Sequence, residues 1–236
     1  MRTFLCALLI CVCGWLPAQA LPADCRQLVL TTTPDWGSLK AQIRCYERGA
    51  NGWKQVRGPW PAVVGQSGLG WGLGLAPIPQ GGTPIKKEGD GKGPAGIYEL
   101  PEFFGYAANR PSGDLPFRVL SPTLWGVDDP TSRYYNQIVD SAKVEVDWDS
   151  AEKMYIDDYR LGIRVGHNMK SPRPGAGSCI FVHRWENGET GTAGCTAFEK
   201  GNLRKLCDWL RKDKHPLLVQ LPSPVYLSLR KSWELP

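Results

Sequence analysis

The chain has 236 residues, with 28 Lys and Arg against 23 Asp and Glu, for a formal charge of +5. That excess is too small to argue for nucleic acid and leaves only a mild bias toward an anionic partner such as cell wall. With 27 Gly, 20 Pro and few long helical periods, the composition favours a mainly β chain over a helical one.

The first twenty residues, MRTFLCALLICVCGWLPAQA, carry one charge at Arg2, an apolar run from Phe4 to Leu16, and a small-x-small end at Ala18-Gln19-Ala20. This is the pattern of a secretory signal peptide. The apolar run is short against the roughly 20 residues of a membrane span. Cleavage near Ala20, export and no stable membrane insertion are therefore expected. Residues 21–236 are expected to form a single domain, long enough to bury a core without staples.

In chain order, RQLVLTTT (26–33) and KAQIRCYERG (40–49) read as strands, the second alternating through Ala41, Ile43 and Cys45. Gly49-Ala50-Asn51-Gly52 reads as a hairpin turn, and Ala62 to Val64 as a further strand. The glycine-rich run that follows has no helix after it, so it is no dinucleotide fingerprint and serves close backbone packing. IKKEGDGKGPAGIYEL (85–100) is a charged glycine loop entering a strand. It matches neither a Walker spacing nor a calcium-hand loop, so no metal or phosphate is assigned to it. The segment from Pro101 to Asp129, rich in Pro, Gly and aromatics, reads as irregular surface, continued by DDPTSRYYNQIVD. A short helix is expected around Ala151 to Met154 and a strand through Leu161 to Val165. Asn202 is the expected N-cap of a helix whose buried stripe is Leu203, Leu206, Cys207 and Leu210. HPLLVQL reads as a return strand.

The stretch CIFVHRWENGETGTAGCTAF, residues 179 to 198, carries the chemistry. An apolar run ends at His183, and Cys195 follows a polar loop twelve residues later, behind Gly194. A thiol attacks acyl carbons as thiolate, which calls for a neighbouring imidazole. A strand end and a returning loop bring such a pair together, Gly194 permits a sharp turn, and nearby amides serve an oxyanion. On spacing alone the structural reading is the stronger, because eight cysteines and three histidines make some Cys-His spacing near certain. Zinc lacks a CxxC or HxxxH spacing, and a serine hydrolase lacks its G-x-S-x-G elbow.

Cysteine counting bears on the same residue. Cys6, Cys11 and Cys13 leave with the signal peptide, so five cysteines remain and one is odd. In an oxidising compartment, Cys25 with Cys45 and Cys179 with Cys207 are the guessed disulfides. Cys195 is then the free thiol.

GSCIFVHRW…TAGCTAF resembles the catalytic segment of the L,D-transpeptidase (YkuD-like) domain, in a subgroup carrying Thr-Ala-Gly-Cys. WPAVVGQSGLGWG, KEGDGKGPAGIYEL, VDDPTSRYYNQIVD and GHN resemble that subgroup's segments in order, so the likeness covers nearly all of residues 21–236. It implies a mainly β, sandwich-like mixed fold with a few short helices, one of them after the cysteine. It also implies acyl transfer on peptidoglycan stem peptides in the periplasm or cell envelope, without a cofactor. Carried over by position, Cys195 is the nucleophile, His183 the base, and Gly194 part of the oxyanion turn. Ala193 and Ala197 depart from better-known members, which have His and Arg there, and this leaves hydrolysis or a non-catalytic wall-binding role as alternatives. Trp185 is the candidate groove wall, and His167, Asn168 and Ser178 are candidate substrate-side residues. Tyr135 and Asn136 resemble a family segment without an assigned role. No partner subunit and no oligomeric state are implied.

Overall fold

The computed structural model describes residues 21–236, so the expected signal peptide, residues 1–20 with three cysteines, lies outside the described residues. The chain is mainly β. Strand β1 (Gln27–Thr33) is buried almost throughout, and β2 (Lys40–Gly49) alternates buried and exposed positions. A tight turn closes Gly49 onto Gly52 and starts β3 (Gly52–Val63), much longer than the three residues its sequence shows. Pro59 and Pro61 hide that strand, which is accommodated by an irregularity where Cys45 faces Arg57. Strand β4 (Leu69–Trp71) lies in the glycine-rich run, where packing is indeed tight: a Cβ on Gly65 would stand 2.3 Å from the Gly91 carbonyl oxygen.

Strand β5 (Gly93–Glu99) follows, then β6 (Phe103–Gly105), β7 (Phe117–Val119), β8 (Leu124–Val127) and β9 (Gln137–Asp140). The expected irregular surface of 101–129 is therefore corrected. Phe103 and Phe104 are fully buried, and an apolar pair of this kind folds as strand because it finds partners. The expected helix around Ala151 to Met154 is also a strand, β10 (Ala151–Lys153), paired with β8. Next come β11 (Leu161–Arg164), β12 (Phe181–Arg184), β13 (Thr196–Phe198), helix α1 (Lys200–Trp209), β14 (Leu217–Pro222) and helix α2 (Ser223–Leu229).

Eleven strands make one mixed sheet in the order β4-β5-β14-β1-β2-β3-β13-β12-β11-β6-β7. Strand β14, LLVQLP, is buried at every position and runs parallel to β1, as a largely apolar strand does when both faces are covered, and its one polar residue, Gln220, is satisfied by Thr196 and the Pro94 carbonyl. The remaining three strands form a small sheet, β10-β8-β9. Two apolar clusters result. The main core gathers Leu28, Ile43, Ile97, Ile163, Val182 and the α1 residues Leu203, Leu206 and Cys207. The second gathers Phe104, Leu124, Ile138, Met154, Tyr159, Phe181, Cys179 and Cys195. Val182 and Phe181 are consecutive residues in different clusters, as the two-residue period of a strand requires.

Helix α1 is capped by Glu199 rather than Asn202. The Glu199 carboxylate accepts from the backbone N–H groups of Gly201 at 2.7 Å and Asn202 at 2.8 Å, satisfying two donors that open the first turn. The guessed disulfides are corrected too, since all five described cysteines are free. Cys179 lies in the second cluster and Cys207 in the main core. Cys45 faces Val29 across the β1–β2 ladder, four residues from Cys25. That is about 13 Å along a strand, beyond disulfide reach.

Candidate active site

The parallel pairing of β12 with β13 builds the site. His183 stands opposite Ala197, and Val182 opposite Thr196. Cys195, two residues before Ala197, shares a face with His183 and Phe181. From strand spacing and rise, the α-carbons of Cys195 and His183 lie about 8 Å apart, within reach of an imidazole and a thiol. The Phe181 backbone N–H donates to Cys195 Sγ at 3.3 Å, and the thiol donates to the Cys179 carbonyl at 3.7 Å. Cys195 and His183 line one cavity of about 390 Å³, to which each presents only 8% of its surface.

The His183 tautomer follows from its partner. Nδ1 is 2.7 Å from the Arg184 carbonyl oxygen, which can only accept, so Nδ1 carries the proton and Nε2 is free as a base. A backbone carbonyl is thus the group that orients the imidazole. Tyr159 sets its edge against the same ring, centroids 5.3 Å apart at 81°, and packs in turn on Phe104 and Phe181. Burial lowers the His183 pKa from its usual value and raises that of the Cys195 thiol. At rest the thiol and the imidazole are therefore both neutral, and the thiol's hydrogen bonds go to the Phe181 amide and the Cys179 carbonyl. Fast alkylation of an exposed thiolate, the behaviour expected of a Cys-His ion pair, does not fit this burial.

Thr192, the first residue of the Thr-Ala-Gly-Cys motif, holds the loop before Cys195. Its hydroxyl donates to the Cys195 carbonyl at 2.6 Å and accepts the Gly194 N–H at 3.1 Å. The Gly194 amide is thereby committed to the turn. Gly194 is closely packed: a Cβ there would stand 3.0 Å from the Lys92 carbonyl oxygen and 3.3 Å from Ile180 Cδ1, so a side chain would press on both. Thr192→Val keeps the shape and removes both bonds. It is expected to cost about 2 kcal/mol in urea unfolding, read against wild type. Behind this loop Lys86, 4% exposed, lines the cavity. Its ammonium donates to Asp90 Oδ1 and to the Lys87 carbonyl, both at 2.6 Å.

Of the other expected residues, Ser178 and Trp185 line the cavity, whereas His167 and Asn168 do not. His167 accepts the Leu73 N–H at Nδ1 (3.2 Å) and donates from Nε2 to the Ala176 carbonyl (3.0 Å), leaving nothing for a substrate. Asn168 Nδ2 donates to the Arg173 and Gly177 carbonyls. Asn136 ties these turns to the site: Nδ2 donates to the carbonyls of His167 (3.0 Å) and Asn168 (2.7 Å), and Oδ1 accepts the Cys179 N–H (2.9 Å). Cys179 sits at φ 50°, a left-handed conformation that such bonds hold in place.

His167 carries a pH prediction. Burial lowers its pKa to about 4, so the folded state keeps it neutral while the unfolded chain takes up a proton below 6.5. The stability from this residue is complete above pH 6.5 and is lost as pH falls toward 4, up to about 3 kcal/mol. Denaturant unfolding of wild type and His167→Gln across that window is expected to show a shallower pH slope in the variant.

No family model matches the chain, and no curated protein matches it. Among solved structures it is similar to the helical cell shape determining protein Pgp2 from Campylobacter jejuni, at 17% identity and a TM-score of 0.36. That likeness covers 83% of this chain and 47% of the Pgp2 chain, so this chain spans less than half of Pgp2's length.

Proposed function

We propose that this protein is an exported cysteine acyltransferase of the L,D-transpeptidase type, acting on peptidoglycan stem peptides in the cell envelope. The observation that carries the reading is the shared cavity of Cys195 and His183, with His183 Nε2 left free by the Arg184 carbonyl. The resemblance of GSCIFVHRW…TAGCTAF to that family supplies the substrate class.

In this reading Cys195 Sγ attacks the carbonyl of the third stem residue as His183 Nε2 takes the thiol proton. The carbonyl oxygen becomes an oxyanion, and the buried Lys86 ammonium lowers the cost of negative charge in the cavity. Collapse breaks the peptide bond, and the leaving amine of the terminal D-amino acid takes the proton from His183. The thioester is then attacked by an amine in transpeptidation, or by water in carboxypeptidation. His183 accepts the proton of the incoming group and returns it to the sulfur. No cofactor enters these steps.

Incubation with tetrapeptide-containing sacculi followed by mass analysis tests the reading. Crosslinked dimers with released D-amino acid support the transferase, and trimmed tripeptides alone support the hydrolase. An unchanged muropeptide profile, identical with wild type and with Cys195→Ala, contradicts both and leaves a wall-binding role.

A further inference from the structure

A second cavity, of about 500 Å³, adjoins the one at Cys195, and Trp185 lines both. Its floor is a face of the main sheet at the end of β1, the start of β2 and the end of β3, where Thr32, Gln42 and Pro61 stand side by side in the ladder. The loop of residues 186–191 separates the two spaces. Gly188 and Glu189 line the second cavity, whereas Glu186, Thr190 and Gly191 line the first. That loop is fixed in place. Lys40 Nζ donates to the Gly188 carbonyl at 2.5 Å and pairs with Glu189, while Asn187 Oδ1 accepts the Glu189 and Thr190 N–H groups at 2.8 and 3.0 Å. Gly188 packs on the Trp185 ring, where a Cβ would stand 3.2 Å from Cη2.

The lining has the chemistry of a site for a polyhydroxylated ligand. Arg44, two residues from Gln42 on the same face of β2, donates to Gln42 Oε1 at 2.6 Å. The Gln42 amide N–H groups and the other guanidinium N–H groups of Arg44 have no partner among the described residues. Two planar donors of this kind match the hydroxyls and N-acetyl carbonyl of an amino sugar. The indole beside them suits the apolar face of a sugar ring. Strand addition by a peptide does not fit this floor, because β1, β2 and β3 are each already paired on both sides.

Length links the groove to the thiol. The Phe181 N–H donates to Cys195 Sγ, and the strand that begins there runs on to Trp185, whose N–H bonds the Phe198 carbonyl at 3.0 Å. Four residues of strand cover about 13 Å. In a stem peptide held by its third carbonyl at Cys195, three extended residues reach back about 10 Å, and the lactyl link to the sugar follows. Laid along β12, such a peptide brings its sugar to Trp185, where the two cavities meet. We propose that the groove of Gln42, Arg44 and Trp185 holds the N-acetylated glycan to which the stem peptide is attached. The inference rests on the acyl-transfer reading for the position of the peptide, and it extends recognition from the peptide to the polymer that bears it.

Calorimetry on the full chain with Cys195→Ala removes turnover from the readout. The probes are an N-acetylglucosaminyl-N-acetylmuramoyl tetrapeptide and the N-acetyl tetrapeptide without sugar. The disaccharide form is expected to bind at least tenfold more tightly. With Gln42→Ala and Arg44→Ala added together, that preference is expected to fall below threefold. The ratio of two probes on one protein cancels any general loss of binding. Equal affinities overturn the proposal, as do a preference that survives the double variant and a protein that binds neither probe. Failure of the acyl-transfer reading shows separately, as a wild-type protein with the expected preference that releases no D-amino acid from either probe. Release of D-amino acid with no preference for the disaccharide form overturns the groove alone.

Discussion

Cys195→Ala is expected to lower release of the terminal D-amino acid from stem tetrapeptides by about 10⁴-fold or more, with the fold retained. The size follows from the proposed role: removing a covalent nucleophile takes away the reaction path, and the remaining site would hold substrate without an alternative attacking atom. The fold survives because the substitution removes one sulfur from a cluster whose bulk is Phe104, Phe181, Tyr159 and Met154. Rate is read by D-amino acid release, and fold by circular dichroism and thermal unfolding beside wild type. An intact fold with an unchanged rate sinks the nucleophile assignment.

His183→Gln carries the second large effect, a fall of about 10²–10⁴-fold in rate with a changed pH profile. The imidazole works as a base only when Nε2 is unprotonated. Burial lowers its pKa, so the acid limb of the wild-type profile has its midpoint below 6.5. The rate rises with pH through that midpoint and then levels. It does not follow a thiol titration near neutrality, because the Cys195 thiol is pushed up by burial. In His183→Gln the acid limb is expected to vanish along with most of the rate. A purely structural role for His183 lowers the rate and leaves the limb in place.

Local signals and long-range topology account for what the sequence shows and what it hides. Strands β1 and β14 are visible from runs of three consecutive apolar residues, and β2 from the alternation of Ala41, Ile43 and Cys45. Helix α1 is visible from its stripe, although its cap at Glu199 is not, since a glutamate cap lacks the usual Asn, Ser or Asp signature. Strands β6 to β10 have only three or four residues each, and their strand character comes from partners elsewhere in the chain. The short AEK segment of β10 reads as helix until β8 is placed beside it.

The site divides in the same way. Cys195 and His183 are conspicuous as residue types, but their spacing does not convey the parallel ladder that puts them on one face. Thr192 opens the Thr-Ala-Gly-Cys motif, but its role shows only when its hydroxyl is seen bridging Gly194 and Cys195. Glu88, Asp128 and Glu152 line the same cavity as Cys195 but come from three separate segments and share no local pattern. His167 and Asn168 illustrate the reverse case. They are polar residues near the motif, yet backbone groups take up their hydrogen-bonding capacity. The cysteine arithmetic fails for a topological reason as well, because Cys179 and Cys207 belong to different cores.

The most direct test of the account is intact-protein mass spectrometry after brief mixing with a stem tetrapeptide and an acid quench. An added mass equal to the tripeptide acyl group is expected. It should map to Cys195, be removable by hydroxylamine, and be absent from Cys195→Ala. D-amino acid release by wild type without an adduct on Cys195, or the same adduct on another residue, would contradict it.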